Sequence, residues 1–182
     1  MRKVALLFCL LALGFVARPV YAADQYIDCY NASTDDSKID SGIAVCSRLI
    51  ESGKWRGLDL TRLLGNRANL YIKKKLLDAA MEDLDRALTI TPEYVFAYDD
   101  RGDIHRLRGE LDQALEDYSH AIRIDSQFLS AWYERGRVYE MMGNKSKARE
   151  NYQQAIDRPG KDRPIDRWAK DQARDALDRM ER

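Results

Sequence analysis

The sequence predicts an all-α protein built as a solenoid of stacked helix-turn-helix units, and three observations carry that prediction. A register of 34 residues recurs three times without insertion, over 61–94, 95–128 and 129–162. Ala or Gly stands at the eighth, twentieth and twenty-seventh places of every copy, which lets helix axes approach to about 8 Å. Only four Pro interrupt 182 residues that carry ten Tyr and three Trp, a composition suited to helices with aromatic packing. The chain is 45% hydrophobic, enough for a buried core, although 33% of it is charged. Its 30 basic and 30 acidic residues balance, so net charge gives no reason to expect nucleic acid or an anionic membrane as partner.

Residues 1–22 read as an export signal. Arg2 and Lys3 precede an apolar stretch from Val4 to Val16, and the small Ala22 suits a signal-peptidase cut after it. A spanning helix needs about 20 apolar residues, so the stretch is short for a permanent anchor. Its apolar residues run all round, which argues against an N-terminal core helix. The expected location is the periplasm or the exterior, and the only membrane contact expected is through this signal. Cleavage removes Arg2, Lys3 and Arg18 but no acid, leaving 27 basic and 30 acidic residues, net −3. It also removes Cys9 and leaves Cys29 and Cys46, an even pair in an exported chain, which reads as a disulfide rather than two free thiols.

Residues 23–60 read as an N-terminal cap. Ala23–Lys38, rich in Asn, Ser, Thr and Asp, is expected to be a loop tied down by the disulfide. Residues 39–52 are expected to form an amphipathic helix, read as a degenerate half-unit, with Gly42, Cys46 and Leu49 spaced like the second helix of a repeat displaced by four residues. The repeats 61–94, 95–128 and 129–162 follow. Gly109 and Gly143 suit the left-handed residue that ends a helix, with Lys75 in the equivalent place of the first copy. Pro92 stops the second helix of its copy, because it lacks an amide proton. Residues 163–182, with Pro164 at the start and apolar residues at helical spacing from Ile165 to Met180, read as a closing helix.

These repeats resemble the tetratricopeptide repeat (TPR) family, whose unit is an antiparallel helix pair of 34 residues; the whole resembles small exported bacterial members. The aromatic that the family pattern places fourth is present as Tyr98 and Trp132 but replaced by Leu64, and its seventh-place leucine is Arg67, Arg101 or Arg135. Sixteen residues after those arginines stand Asp83, Asp117 and Asn151. The arginines are expected to pair with acids across each hairpin, Arg135 using Glu150 or nothing, the alternative being arginines that line a ligand site.

The resemblance implies that the first helix of each unit lines a concave face. The first unit offers Arg62, Asn66, Asn69 and Lys73; the second Phe96, Asp99, Asp100, Asp103 and Arg106; the third Tyr133, Glu134, Arg137 and Glu140. The entrance is then basic and the middle acidic. A peptide or helix with basic residues opposite the aspartates and an apolar anchor near Phe96 or Tyr133 would be complementary, against the alternative of an ordinary solvated face. The basic clamp with which some TPR domains hold a C-terminal carboxylate is missing, because Gly65, Ser130 and Glu134 occupy its places and only Asn69 matches.

No cofactor, metal or catalytic set is expected. His105 takes the place of Tyr71 and Tyr139 and reads as a core residue, and His120 has no Cys or His at metal-ligand spacing. Arg101-Gly102-Asp103 falls inside a predicted helix, so it does not read as an adhesion tripeptide. The sequence therefore points to an exported, non-enzymatic adaptor for a protein or peptide partner. The alternative is a self-associating subunit of an envelope or secretion assembly.

Overall fold

A computed structural model describes residues 21–182. The expected export signal lies outside the described residues, apart from Tyr21 and Ala22. Among the described residues there are nine α-helices and no strand: α1 (Tyr21–Thr34), α2 (Ile39–Glu51), α3 (Gly57–Lys73), α4 (Leu77–Ile90), α5 (Val95–Arg108), α6 (Leu111–Ile124), α7 (Leu129–Met141), α8 (Lys145–Asp157) and α9 (Pro164–Glu181). Consecutive helices form antiparallel hairpins, α1–α2 through α7–α8. The first helices pack in series, α1 on α3, α3 on α5 and α5 on α7, and α9 lies against both α7 and α8. This is an all-α solenoid.

Inside each hairpin the repeat balances a small residue against a large one. Tyr118 and Tyr152 are fully buried, and a Cβ on Gly102 or Gly136 would stand 2.8 or 2.7 Å from those rings. The first repeat, with the smaller Leu84 in the tyrosine place, carries Ala68 opposite it. Gly109 and Gly143 end α5 and α7 at φ 77° and 75°, and Lys75 takes the same left-handed conformation at φ 60°. A Cβ there costs about 1 kcal/mol, which one lysine in a well-packed turn can bear.

The segment 23–38 departs from the loop expected of it. Most of it is α1, and only a short turn at Asp35–Lys38 remains, where Asp35 accepts hydrogen bonds from the Ser37 amide and hydroxyl at 3.0 and 2.7 Å. Asn31, Asp36 and Ser37 face water, while Tyr26, Cys29 and Ala32, three apart, turn inward. Cys29 and Cys46 are both fully buried and joined in a disulfide, with Cα atoms 5.2 Å apart. With the four-residue displacement, Cys46 stands where Leu84, Tyr118 and Tyr152 stand. A covalent bond thus replaces the large side chain that clamps the other hairpins. The N-terminal segment is a whole extra hairpin and not half of one.

The arginines at the seventh place stitch the stack together. Arg67 donates to both carboxylate oxygens of Asp83, each at 2.7 Å, and to the Ser47 hydroxyl at 2.9 Å. Arg101 holds Asp117 at 2.9 and 2.8 Å and reaches Asp85 at 2.9 Å. Arg135 donates to the Asn151 carbonyl at 2.8 Å and to the Ser119 hydroxyl at 3.1 Å. Each guanidinium therefore joins the second helix of its own hairpin to the second helix of the hairpin before it. For the third arginine the expectation of Glu150 or nothing is corrected. It uses Asn151, because the amide oxygen sits where the aspartate oxygen sits in the other repeats.

Candidate functional site

The helices α3, α5 and α7 carry the predicted groove residues, and the structure sorts them. Arg62 and Lys73 lie exposed on α3, Arg62 beside Asp59 at 3.5 Å and Lys73 paired with Asp36 of the α1–α2 turn at 2.7 Å. Asn66 and Asn69 are half-buried, and the Asn69 side chain works against the burial that raises the Asp100 carboxyl. Glu140 is exposed and accepts from the Tyr152 hydroxyl at 2.6 Å. Phe96 is 39% exposed and rests between Tyr94 and Phe128, with ring centroids 5.5 and 5.2 Å away.

The acidic middle converges between α5 and α7. Asp99 is buried, and one of its oxygens accepts from the Ser130 hydroxyl at 2.9 Å while the other, Oδ1, has no hydrogen-bond partner. Glu134 is buried as well, held by Arg137 at 2.9 Å and approached by Arg106 at 3.4 Å. Asp103 takes Arg106 at 2.6 Å and the Tyr118 hydroxyl at 2.9 Å. Burial, reinforced by Asp103, pushes the Asp100 carboxyl up to about 8. Burial and Asp103 likewise raise Glu134 to about 7 against the pull of Arg137 and Arg106. Asp99 lies well above the carboxylate range, from burial and then from Asp103, Asp100 and Glu134. The site is a carboxylate cluster with fewer cations than acids.

Tyr133 is buried beneath the face, so its ring does not present an anchor there. Beside it stands Trp168 of α9, 41% exposed and edge-on to Tyr133 at 5.3 Å. Sequence reasoning places Trp168 in a closing helix and leaves it out of the candidate site. Its signal is the register itself: Asn66, Asp100, Glu134 and Trp168 are spaced by 34. Among the described residues no group of side chains is arranged to hold a metal ion, and no helix is long and apolar enough to cross a membrane.

Family patterns described as tetratricopeptide repeats match residues 61–94, 102–143 and 130–158, which together span half of the chain. The chain belongs to the TPR family. No curated protein sequence matches it. Among solved TPR structures, TTC0263 of Thermus thermophilus is 20% identical, with a TM-score of 0.66 over 86% of this chain and 84% of that one. MamA is 19% identical, with a TM-score of 0.59 over 80% of this chain and 91% of its own. YrrB, a TPR protein with an unusual peptide-binding site, is 22% identical, with a TM-score of 0.60 over 82% and 75%. At these identities the likeness shows a shared TPR fold.

Proposed function

We propose that the chain is an exported TPR adaptor that takes a peptide or helix of a partner protein, bearing basic residues, into the groove lined by α3, α5, α7 and α9. One observation carries the reading: Asp99, Asp100, Asp103 and Glu134 gather on that face against only Arg106 and Arg137. An excess of acid at the centre of a concave surface favours a basic partner and repels an acidic one. The exposed rings of Phe96 and Trp168 offer apolar contacts beside it. YrrB, of the same fold, has a peptide-binding site, which supports a peptide as the class of ligand. Export is supported by the apolar segment Val4–Val16 and by the Cys29–Cys46 disulfide, a bond that persists in oxidising compartments.

The test is a pull-down from cell-envelope extract with wild type and with Asp100→Lys/Asp103→Lys, two half-buried positions that tolerate a longer side chain better than buried Asp99. Loss of a specific partner in the variant is the expected result, and identical catches reject the groove. Mass spectrometry of the exported chain is expected to find Ala23 at its N-terminus; a retained Met1 in the folded protein rejects the export reading. Self-association has one observation in its favour, the exposure of Ile27 and Tyr30 on the terminal hairpin at 51% and 55%. Sedimentation of the mature protein decides it: a single monomeric species removes that alternative.

A further inference from the structure

At the centre of the groove, both guanidinium groups near the acidic cluster are already committed. Arg106 pairs with Asp103 at 2.6 Å and leans on Glu134 at 3.4 Å, and Arg137 holds Glu134 at 2.9 Å. Asp99 receives only the neutral Ser130 hydroxyl, and among the described residues no cation pairs with Asp100. With all four acids ionised, the cluster would carry two negative charges more than its cations balance. Asp99 is 7% exposed, and its Oδ1 accepts no hydrogen bond from any side. A buried, ionised carboxylate oxygen without a partner is costly, and two remedies exist: a proton, or a cation brought from outside.

We propose that this cluster is a proton-for-cation exchange site, which holds a proton in the free protein and releases it when a basic side chain of the partner seats on Asp100 and Asp103. This deepens the groove reading and rests on it. Those two carboxylates are half-buried and reachable, whereas Asp99 and Glu134 stand behind them. An ammonium has three donors and can bridge two carboxylates at once. Phe96 precedes Asp99 and Asp100 on α5 with its ring 39% exposed, and Trp168 follows Glu134 in the register with 41% exposed, so apolar residues either side of the base would find a ring. Charged, titratable and polar groups face the cluster from every element packed against it. Asn69 comes from α3, Tyr94 from the turn before α5, Arg106 from α5 itself, Tyr118 from α6, and Glu134 and Arg137 from α7. Among them only carboxyl groups exchange a proton near neutrality, Asp100 at about 8 and Glu134 at about 7.

Exchange has a measurable sign. A cation that displaces a proton binds more tightly as pH rises, by about tenfold per pH unit for one proton released. The experiment presents the mature chain with two libraries of short acetylated and amidated peptides. One carries a central lysine among varied apolar neighbours, and the other carries norleucine, its neutral isostere, in that place. Binders are then titrated calorimetrically in phosphate at about pH 6 and about pH 8, and at the higher pH also in Tris, whose heat of ionisation differs. The expected result is binders from the lysine library alone, tighter at the higher pH, with buffer-dependent heats that report release of about one proton. Asp100→Asn removes a half-buried charge rather than packing, so it is expected to fold with a higher melting midpoint at the higher pH and to lose both the lysine preference and the proton release. Peptides that bind equally with norleucine, or with no pH or buffer dependence, overturn the exchange site and leave the groove reading standing. No binder from either library defeats the groove reading, and the exchange site with it.

Discussion

Arg101 and Arg135 occupy the same place in consecutive repeats yet do different amounts of work. Arg101 forms a two-point pair with Asp117, whose side chain is only 5% exposed, and the guanidinium itself is 25% exposed. Hydrogen bonding to Asp117 is the largest influence on Arg101 and holds its charge firmly. Removing the arginine strands a buried carboxylate, so Arg101→Ala is expected to cost about 3 kcal/mol in urea unfolding. Arg135 meets the neutral Asn151, and burial lowers its pKa without an acid bonded to it. Arg135→Ala is expected to cost about 1.5 kcal/mol, since no charge is left stranded. Equal losses in the two variants would contradict the ladder as an electrostatic device. The pairing of Arg67 and Arg101 was legible in the sequence because Asp83 and Asp117 recur at a fixed spacing. The reach to Ser47, Asp85 and Ser119 was not, because it crosses between repeats and depends on how the hairpins stack.

At the scale of elements, the hairpin α1–α2 shows how a degenerate repeat is kept. It lacks the large side chain that fills the interior of the later hairpins, and Cys29–Cys46 joins its two helices at that place. A bond closing a 17-residue separation restricts the unfolded chain by about 3 kcal/mol in the chain-entropy picture. Reduction, or Cys29→Ala with Cys46→Ala, is expected to lower stability by about that amount. Amide exchange should quicken first in α1 and α2, while α5–α8 remain protected. Uniform loosening of all helices would contradict a local role. The helix α1 was hidden in the sequence because Asn31, Ser33, Thr34 and Asp35 have weak helix propensity, and its inward stripe is short. Tyr26 against Trp55, with centroids 5.5 Å apart, and Cys29 against Cys46 supply what propensity does not.

For the whole molecule, two sets of carboxyl groups pull the pH profile in opposite directions. Asp99, Asp100 and Glu134 have folded values raised above the ordinary carboxylate range. Between about pH 4 and about pH 8 the folded chain therefore holds more protons than the unfolded chain, and stability falls as pH rises through that window. Asp166 behaves in the opposite way. Burial works to raise it, but the Arg163 guanidinium and the Lys161 and Leu129 amides outweigh burial and hold it below its usual value. Its contribution is present above about pH 4 and is lost as pH falls through the folded value. The free protein is thus expected to be most stable in mildly acidic solution. Urea midpoints across about pH 4 to about pH 8 check this, and a steady rise toward the alkaline end would contradict it. Asp166 also shows why α9 closes the stack. Its carboxylate accepts the Leu129 amide at 3.3 Å and Arg163 at 2.7 Å, locking the start of α9 onto the start of α7.

What the sequence determined by itself was everything that repeats. The period of 34, the small residues at fixed places, the left-handed turns and the arginine–aspartate pairs are local or internally copied, so each copy testifies to the others. The acidic character of the second unit was also there to be read, as three aspartates within five residues. What the tertiary structure alone decided was burial and company: Asp99, Glu134 and Tyr133 are buried, and Trp168 is exposed beside Tyr133. Those outcomes depend on how one hairpin rotates against the next, and helix axes a few ångströms nearer or farther decide whether a carboxylate keeps its water. That step turns a row of ordinary surface acids into a cluster short of cations, the feature on which the proposed function depends.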